Sequence, residues 1–228
     1  MPASPSLVDA VMVSCAQRES ARALTIPQLE KAGVAVTVLL DDCTPPVQTP
    51  PGNGPIGLKA IRHAIAMGWE HVLIVEDDID LAPDFPMFLT AALDVGAVTY
   101  FYLNDSPTRL PRTVGTLAAA SILRGEPQKR RLTPAWSMDF LLGTQCVLLP
   151  ARVLPGIART LEGMSISFDR GVLAALSERP LIALPHPVQH RHDRTGRPPS
   201  KIEKRSYSAD LQRVGEEVSL EGDHHRGG

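Results

Sequence analysis

No apolar run in this chain approaches the roughly 18 residues that a membrane-spanning helix needs. No basic region stands ahead of the short apolar stretch near the amino terminus, so nothing there reads as a secretory leader. Cysteine is scarce: Cys15, Cys43 and Cys146 are odd in number and form no CxxC pair. The simplest expectation is reduced thiols in a cytoplasmic protein that is not exported. GxxxxGK(S/T) and GxGxxG are both missing, which removes the standard glycine-rich nucleotide loops. Charge of one sign is not in excess either. A formal net charge of −2 argues against a basic coat but leaves room for a local patch. Neither an internal repeat nor a second domain is visible.

What is present is an ordinary globular composition, 43% hydrophobic and 21% charged, over 228 residues. That length holds one α/β domain with a substantial core, or at most two small domains. The chain is organised around His71-Val72-Leu73-Ile74-Val75-Glu76-Asp77-Asp78-Ile79-Asp80. It begins with the apolar, β-branched run that a strand buried on both faces requires. It then stops in three consecutive carboxylates, Glu76, Asp77 and Asp78. Folding gives no reason for them, because adjacent like charges repel and Asp and Glu are poor strand formers. In open α/β sheets the carboxyl ends of the strands are where ligands bind. Hard oxygen ligands at that place suit Mg²⁺ or Mn²⁺, and those ions suit a diphosphate. A merely solvated acidic strand exit is the plain alternative.

On either side of this stretch the chain punctuates itself. Leu7 to Ser14 reads as a buried strand and Val34 to Leu40 as a second strand, flanking a helix from Arg22 to Ala32, which Gly33 closes. Strand, helix, strand with short links predicts a parallel sheet. Thr44 to Pro55 is rich in proline and glycine and reads as a loop. Ile56 to Met67 predicts a helix ended by Gly68, with Lys59, Arg62 and His63 on one side. Lys59 and Arg62 are candidates for phosphate contact, a solvated face being the alternative. Asp84 is placed to cap a helix through Phe88 to Leu93, and Val98 to Leu103 predicts another strand.

From Pro107 to Pro134 the pattern says least. Thr113 to Leu123 fits a helix or a strand pair, and Arg124 to Arg131 a basic loop. Phe140 to Leu149 predicts a buried strand. Ala151 to Leu161 and Ser167 to Leu176 predict helices, with Ser167 as the second one's cap, and Leu181 to Leu184 a last strand. Arg191 to Arg205 is basic, and the end after Glu216 has the composition of disorder. The fold expected is a single Rossmann-like α/β domain over residues 1–205, a mostly parallel central sheet flanked by helices. A polar tail over 206–228 follows.

The segment Val75-Glu76-Asp77-Asp78-Ile79-Asp80-Leu81-Ala82-Pro83-Asp84-Phe85 resembles the Glu-Asp-Asp then Ala-Pro-Asp-Phe segment of the N-acetylglucosaminyltransferase I family. Gly57, Ala60 and Ala64 resemble the helical lead-in common in that superfamily. The resemblance covers residues 7–105 and implies a glycosyltransferase of the GT-A type, which binds a nucleotide-sugar and a divalent metal. It implies Asp78 as metal ligand, directly or through water, with Glu76 and Asp77 orienting ribose and metal. Ser14 and Arg18, and Asp41 and Asp42, stand where such enzymes hold the base and ribose; for Asp42 a helix cap is the alternative. Inverting members need a late carboxylate to take the acceptor's proton. Asp169 fits by position, with Asp139 and Asp105 in reserve, although an Asp in a helix's first turn is stabilised by the dipole without any catalytic duty. Val188-Gln189-His190, with Gly196 and Ser200, resembles a late stretch that touches the diphosphate or completes the metal shell. His190 is therefore a second candidate metal ligand, although Arg191-His192-Asp193-Arg194 departs from the usual short link. Lys201, Lys204 and Arg205 are placed to close over the phosphates.

The expected activity is metal-dependent transfer, with Mn²⁺ or Mg²⁺, of a sugar from a nucleotide-sugar to an acceptor hydroxyl. A UDP-sugar is the first donor to consider, and inversion follows if Asp169 is the base. The basic segments suit an anionic acceptor, a glycan or a modified DNA base presented by flipping. A nucleotidyltransferase shares fold and metal but usually has a glycine-rich amino-terminal loop followed by Arg and Lys, which is lacking after Ser14. A non-catalytic nucleic-acid-binding module explains the basic segments and leaves Glu76 to Asp78 without a purpose.

Overall fold

The computed structural model describes residues 6–41, 53–102, 113–124, 129–138, 141 and 145–191. Strand β1 (Val8–Cys15) leads through a short 3-10 turn (Ala16–Arg18) into α1 (Glu19–Lys31). Strand β2 (Val34–Asp41) then returns parallel to β1, Val8 beside Val34 and Cys15 beside Asp41. The turn between helix and strand needs Gly33, whose φ of 80° lies in the left-handed region that a side chain disfavours. Helix α2 (Gly54–Met67) carries Pro55 in its first turn, where a missing N–H costs nothing. It ends at Gly68, as expected, and β3 (His71–Glu76) follows.

Beyond β3 come β4 (Ile79–Leu81), α3 (Phe85–Val95), β5 (Thr99–Tyr100), α4 (Thr116–Leu123) and β6 (Arg131–Pro134). The chain continues with β7 (Cys146–Pro150), α5 (Leu154–Gly163), α6 (Phe168–Ala175), β8 (Leu181–Leu184) and β9 (Val188–His190). The main sheet has the order β2-β1-β3-β7-β5-β8-β6. β7 runs against β3 and β5, and β6 runs against β8, while the rest share one direction. This is the mostly parallel α/β sheet that the sequence predicts. Alternate strand residues feed opposite cores, as the pleat demands. Val11, Ile74 and Tyr100 pack with Ile61 of α2, Ile157 of α5 and Phe168 of α6 on one face. Met12, Leu73 and Val75 pack with Leu29 of α1 and Phe85 and Phe88 of α3 on the other.

One contact between the helices on that first face is tight enough to test. A Cβ added at Gly57 would overlap the ring of Phe168 and stand 2.8 Å from its Cβ. Phe168 is buried and cannot swing away, so Gly57→Ala is expected to destabilise by about 2 kcal/mol, the usual scale for overpacking. Chemical denaturation measures it, and a value near zero would show that α2 and α6 are not wedged together.

Several expectations need correction. Helix α1 starts at Glu19 rather than Arg22, and β5 is only Thr99–Tyr100. Asp84 and Ser167 occupy cap positions but make no side-chain cap bond. Asp84 instead pairs with Arg130 Nε at 2.8 Å, because a guanidinium offers a carboxylate more than an amide does. Thr116–Leu123 resolves the helix-or-strand ambiguity as helix. Cys15 is disulfide-bonded, whereas Cys146 is a buried free thiol. A persistent disulfide belongs to oxidising surroundings, so the cytoplasmic expectation loses its cysteine argument. Among the described residues no helix is long and apolar enough to cross a membrane. Asp42, Asp105, Asp139, the stretch 192–205 and the tail 206–228 lie outside the described residues.

Candidate functional site

Because β1, β2 and β3 run in parallel, their ends share one edge, with Cys15 beside Asp41 and Val13 beside Glu76. The chain turns there through Asp77 and Asp78, each only 1% exposed. Two adjacent buried carboxylates demand positive charge and hydrogen-bond donors. Arg18, at the amino end of α1, supplies the charge. Its Nη2 lies 2.8 Å from Asp77 Oδ1 and 2.5 Å from Asp78 Oδ2. Ser14 Oγ donates a short hydrogen bond to Asp77 Oδ2. Arg22 Nη1 donates to Ser14 Oγ at 2.8 Å and to the Cys15 carbonyl. Burial pushes the Asp77 carboxyl above its ordinary value, against the Ser14 hydrogen bond and the Arg18 charge that pull it down. Burial would lower Arg18, yet the charge and hydrogen bond of Asp78, with Asp77 and Glu76, hold its guanidinium above the ordinary value.

A second layer fixes the loop from outside. Thr25 Oγ1 donates to the Asp77 carbonyl at 2.7 Å. Gln28 reaches Asp80 Oδ1 at 3.0 Å and accepts from the Leu81 amide at 2.8 Å. Strand β9 pairs antiparallel with β4, placing His190 opposite Ile79. The next residue, Arg191, donates its backbone N–H to the Asp78 carbonyl at 2.5 Å and sets its Nε 2.6 Å from Asp80 Oδ1. The acidic turn is thus clamped between α1 and the returning chain.

Helix α6 brings Asp169 to the same edge. The Phe168 amide donates to Asn53 Oδ1 at 2.9 Å. Phe168 also closes a cavity of about 20 Å³ against Glu76, Val13 and Gly57. Asp169 is close enough to Tyr100, at the end of β5, that burial and the Asp169 charge together push the phenol well above its usual range. Among the described residues the buried Tyr100 hydroxyl has no hydrogen-bond partner.

No protein-family model and no curated protein sequence matches the chain. Among solved structures it is similar to a mannose-1-phosphate geranyltransferase from Thermus thermophilus. That likeness is 13% in sequence identity with a TM-score of 0.45, over 77% of this chain and 73% of that one. It transfers neither an activity nor a residue role. The N-acetylglucosaminyltransferase I resemblance of residues 75–85 has no family match behind it.

Of the candidate residues, the structure gathers Ser14, Arg18, Asp77 and Asp78 into one bonded cluster, with Glu76 and Asp41 on the same edge. It does not bring Arg62 there. Lys59 is exposed on α2, and Arg62, in the third turn, pairs with Glu162 of α5 at 2.8 Å. Among the described residues no three His, Cys, Asp or Glu side chains gather to cage a metal. Mg²⁺ and ions like it are commonly held by one or two carboxylates and completed by substrate phosphates, and Asp77 and Asp78 fit that donor set. A cation on Asp78 would share it with Arg18 or displace the guanidinium. The residues missed in sequence are Arg22, Thr25, Gln28, Asn53 in its contact with α6, and Arg191. Arg18, Arg22, Thr25 and Gln28 recur at helical spacing on one face of α1, a signal that the sequence does carry.

Proposed function

We propose that the chain is a glycosyltransferase that takes its sugar from a nucleotide-sugar, a UDP-sugar first, at the carboxyl edge of β1, β2 and β3. The supporting observation is the burial of Asp77 and Asp78 beside Arg18, Ser14 and Arg22 at the edge where such sheets bind ligands. Stability alone does not call for it, since an apolar replacement of a buried ion cluster is often neutral or stabilising. A donor diphosphate over this edge meets the Arg18 guanidinium, whose fork matches phosphate oxygens. Asp41, with Asp42 beyond it, is offered to the ribose or base. Asp78, with Asp77, would hold Mn²⁺ or Mg²⁺, which supplies charge stabilisation for the departing nucleoside diphosphate.

Asp169 is the proposed base. Its carboxylate takes the proton of the acceptor hydroxyl as that oxygen bonds to the anomeric carbon. The bond from that carbon to the phosphate oxygen breaks, the nucleoside diphosphate leaves, and the configuration inverts. The acceptor classes carried forward are a glycan and a modified DNA base.

Turnover decides between this reading and its rival. With a panel of UDP-sugars, Mn²⁺ and mixed glycan acceptors, nucleoside diphosphate is expected among the products. Asp169→Asn should cut its release by about a hundredfold or more, the scale of general-base catalysis. Release of pyrophosphate from a nucleoside triphosphate and a sugar phosphate would instead make the chain a nucleotidyltransferase.

A further inference from the structure

At the other edge of the sheet a cleft of about 390 Å³ opens beneath the amino ends of β5 and β8. Its size falls within the range that holds a small molecule. Three guanidiniums line it, from Arg152 after β7, Arg159 on α5 and Arg179 before β8, against one carboxylate, Glu178. Arg152 is held in place by donating to the Gly96 carbonyl at 2.5 Å. Arg159 and Arg179 are exposed and pair with no carboxylate among the described residues. The first turn of α5, at Pro155 and Gly156, also faces the cleft and adds positive potential. The last turn of α6, at Ala175, opposes it with carbonyls, so the arginines decide the sign.

We propose that this cleft binds the phosphate group of a small molecule, either a phosphorylated metabolite or free phosphate. Arginine is suited to the task because its planar fork meets phosphate oxygens in pairs. A nucleic acid is a poorer fit: its backbone presents a line of charge along a groove, whereas here three arginines line one cleft. The parallel strands run from this edge to the edge bearing Asp77 and Asp78, so the two sites sit at opposite ends of the sheet. The proposal stands whether or not the chain transfers sugars.

Titration calorimetry of the full chain with inorganic phosphate, glucose 6-phosphate and glucose tests it. Saturable binding of phosphate is expected, and no binding of glucose. Tighter binding of glucose 6-phosphate than of phosphate would identify a metabolite, and equal binding would identify free phosphate. The double variant R159Q/R179Q should weaken phosphate at least tenfold, while Lys31→Gln, which removes an exposed charge from α1, leaves it unchanged. Both arginines are exposed, so the variant is expected to fold, and its thermal midpoint checks that. Absence of saturable phosphate binding, equal binding by the double variant, or an equal loss in Lys31→Gln would each overturn the proposal.

Discussion

Replacing Arg18 with alanine is expected to lower the free energy of unfolding by about 3 kcal/mol, the scale for stranding one side of a buried ion pair. Asp77 and Asp78 are each 1% exposed and lean on the same guanidinium nitrogen. Without it, Asp78 loses the hydrogen bond to its Oδ2, and Asp77 keeps the Ser14 hydroxyl and the more distant charge of Arg22. Arg18 itself is 32% exposed, so water entering the gap softens the loss. Arg62→Ala is the control, since the Arg62–Glu162 pair is 62% and 44% exposed and exposed pairs contribute about 1 kcal/mol or less. Urea unfolding with an unchanged slope measures both. Equal effects at the two positions would show that the acidic turn does not depend on Arg18. Arg18→Lys should recover only part of the stability, because one ammonium cannot reproduce the planar fork.

Acid is expected to remove about 3 kcal/mol of stability through one buried histidine, a figure that follows from the size of its shift. His186 is 5% exposed, and its Nδ1 lies 3.3 Å from the Ala183 carbonyl, which only a protonated Nδ1 can use as an acceptor. Its Nε2 is buried and has no partner among the described residues. Burial lowers the ring's pKa from 6.5 to about 4, more than the Ala183 contact raises it. The folded value lies below the unfolded one, so the unfolded chain takes up the proton first. The contribution is therefore complete above pH 6.5 and drains away as pH falls toward about 4. Asp77 works in the opposite sense. Its carboxyl is raised from 3.8 by burial, so its contribution is present below that value and is lost as pH rises through its folded pKa. The two are separated by comparing wild type with His186→Gln across the histidine window. Wild type should lose stability on acidification where the variant does not, and parallel curves would contradict the assignment.

The parts legible in sequence are those with long, unbroken patterns. Val8–Cys15, Val34–Asp41 and His71–Glu76 are predominantly apolar strands, and Gly33 and Gly68 mark turns before two of them. These define three neighbouring strands and the edge on which Ser14, Arg18, Asp77 and Asp78 meet. Short elements carry no such pattern: the β4–β9 ribbon is three residues on each side, too few for a period to show. The antiparallel course of β7 depends on which neighbours it finds, which its own apolar run cannot specify. The apolar pattern starts helix α1 too late because its first turn, Glu19-Ser20-Ala21, offers one small apolar residue, and the polar face that follows, Arg22, Thr25 and Gln28, turns toward the buried acids rather than toward water. Arg191 is visible in sequence only as a departure from a pattern, and its purpose comes from the chain folding back onto Asp80. The charge on Asp77 and Asp78 is legible. What balances it is only half so.

The most direct measurement of the central claim is binding of a UDP-sugar panel by calorimetry, with and without Mn²⁺, to wild type and to Asp78→Ala. The predicted result is saturable binding of one UDP-sugar that strengthens with Mn²⁺ and is lost in the variant. Absence of binding by any nucleotide-sugar, or binding that Asp78→Ala leaves untouched, would contradict a donor site at this strand edge.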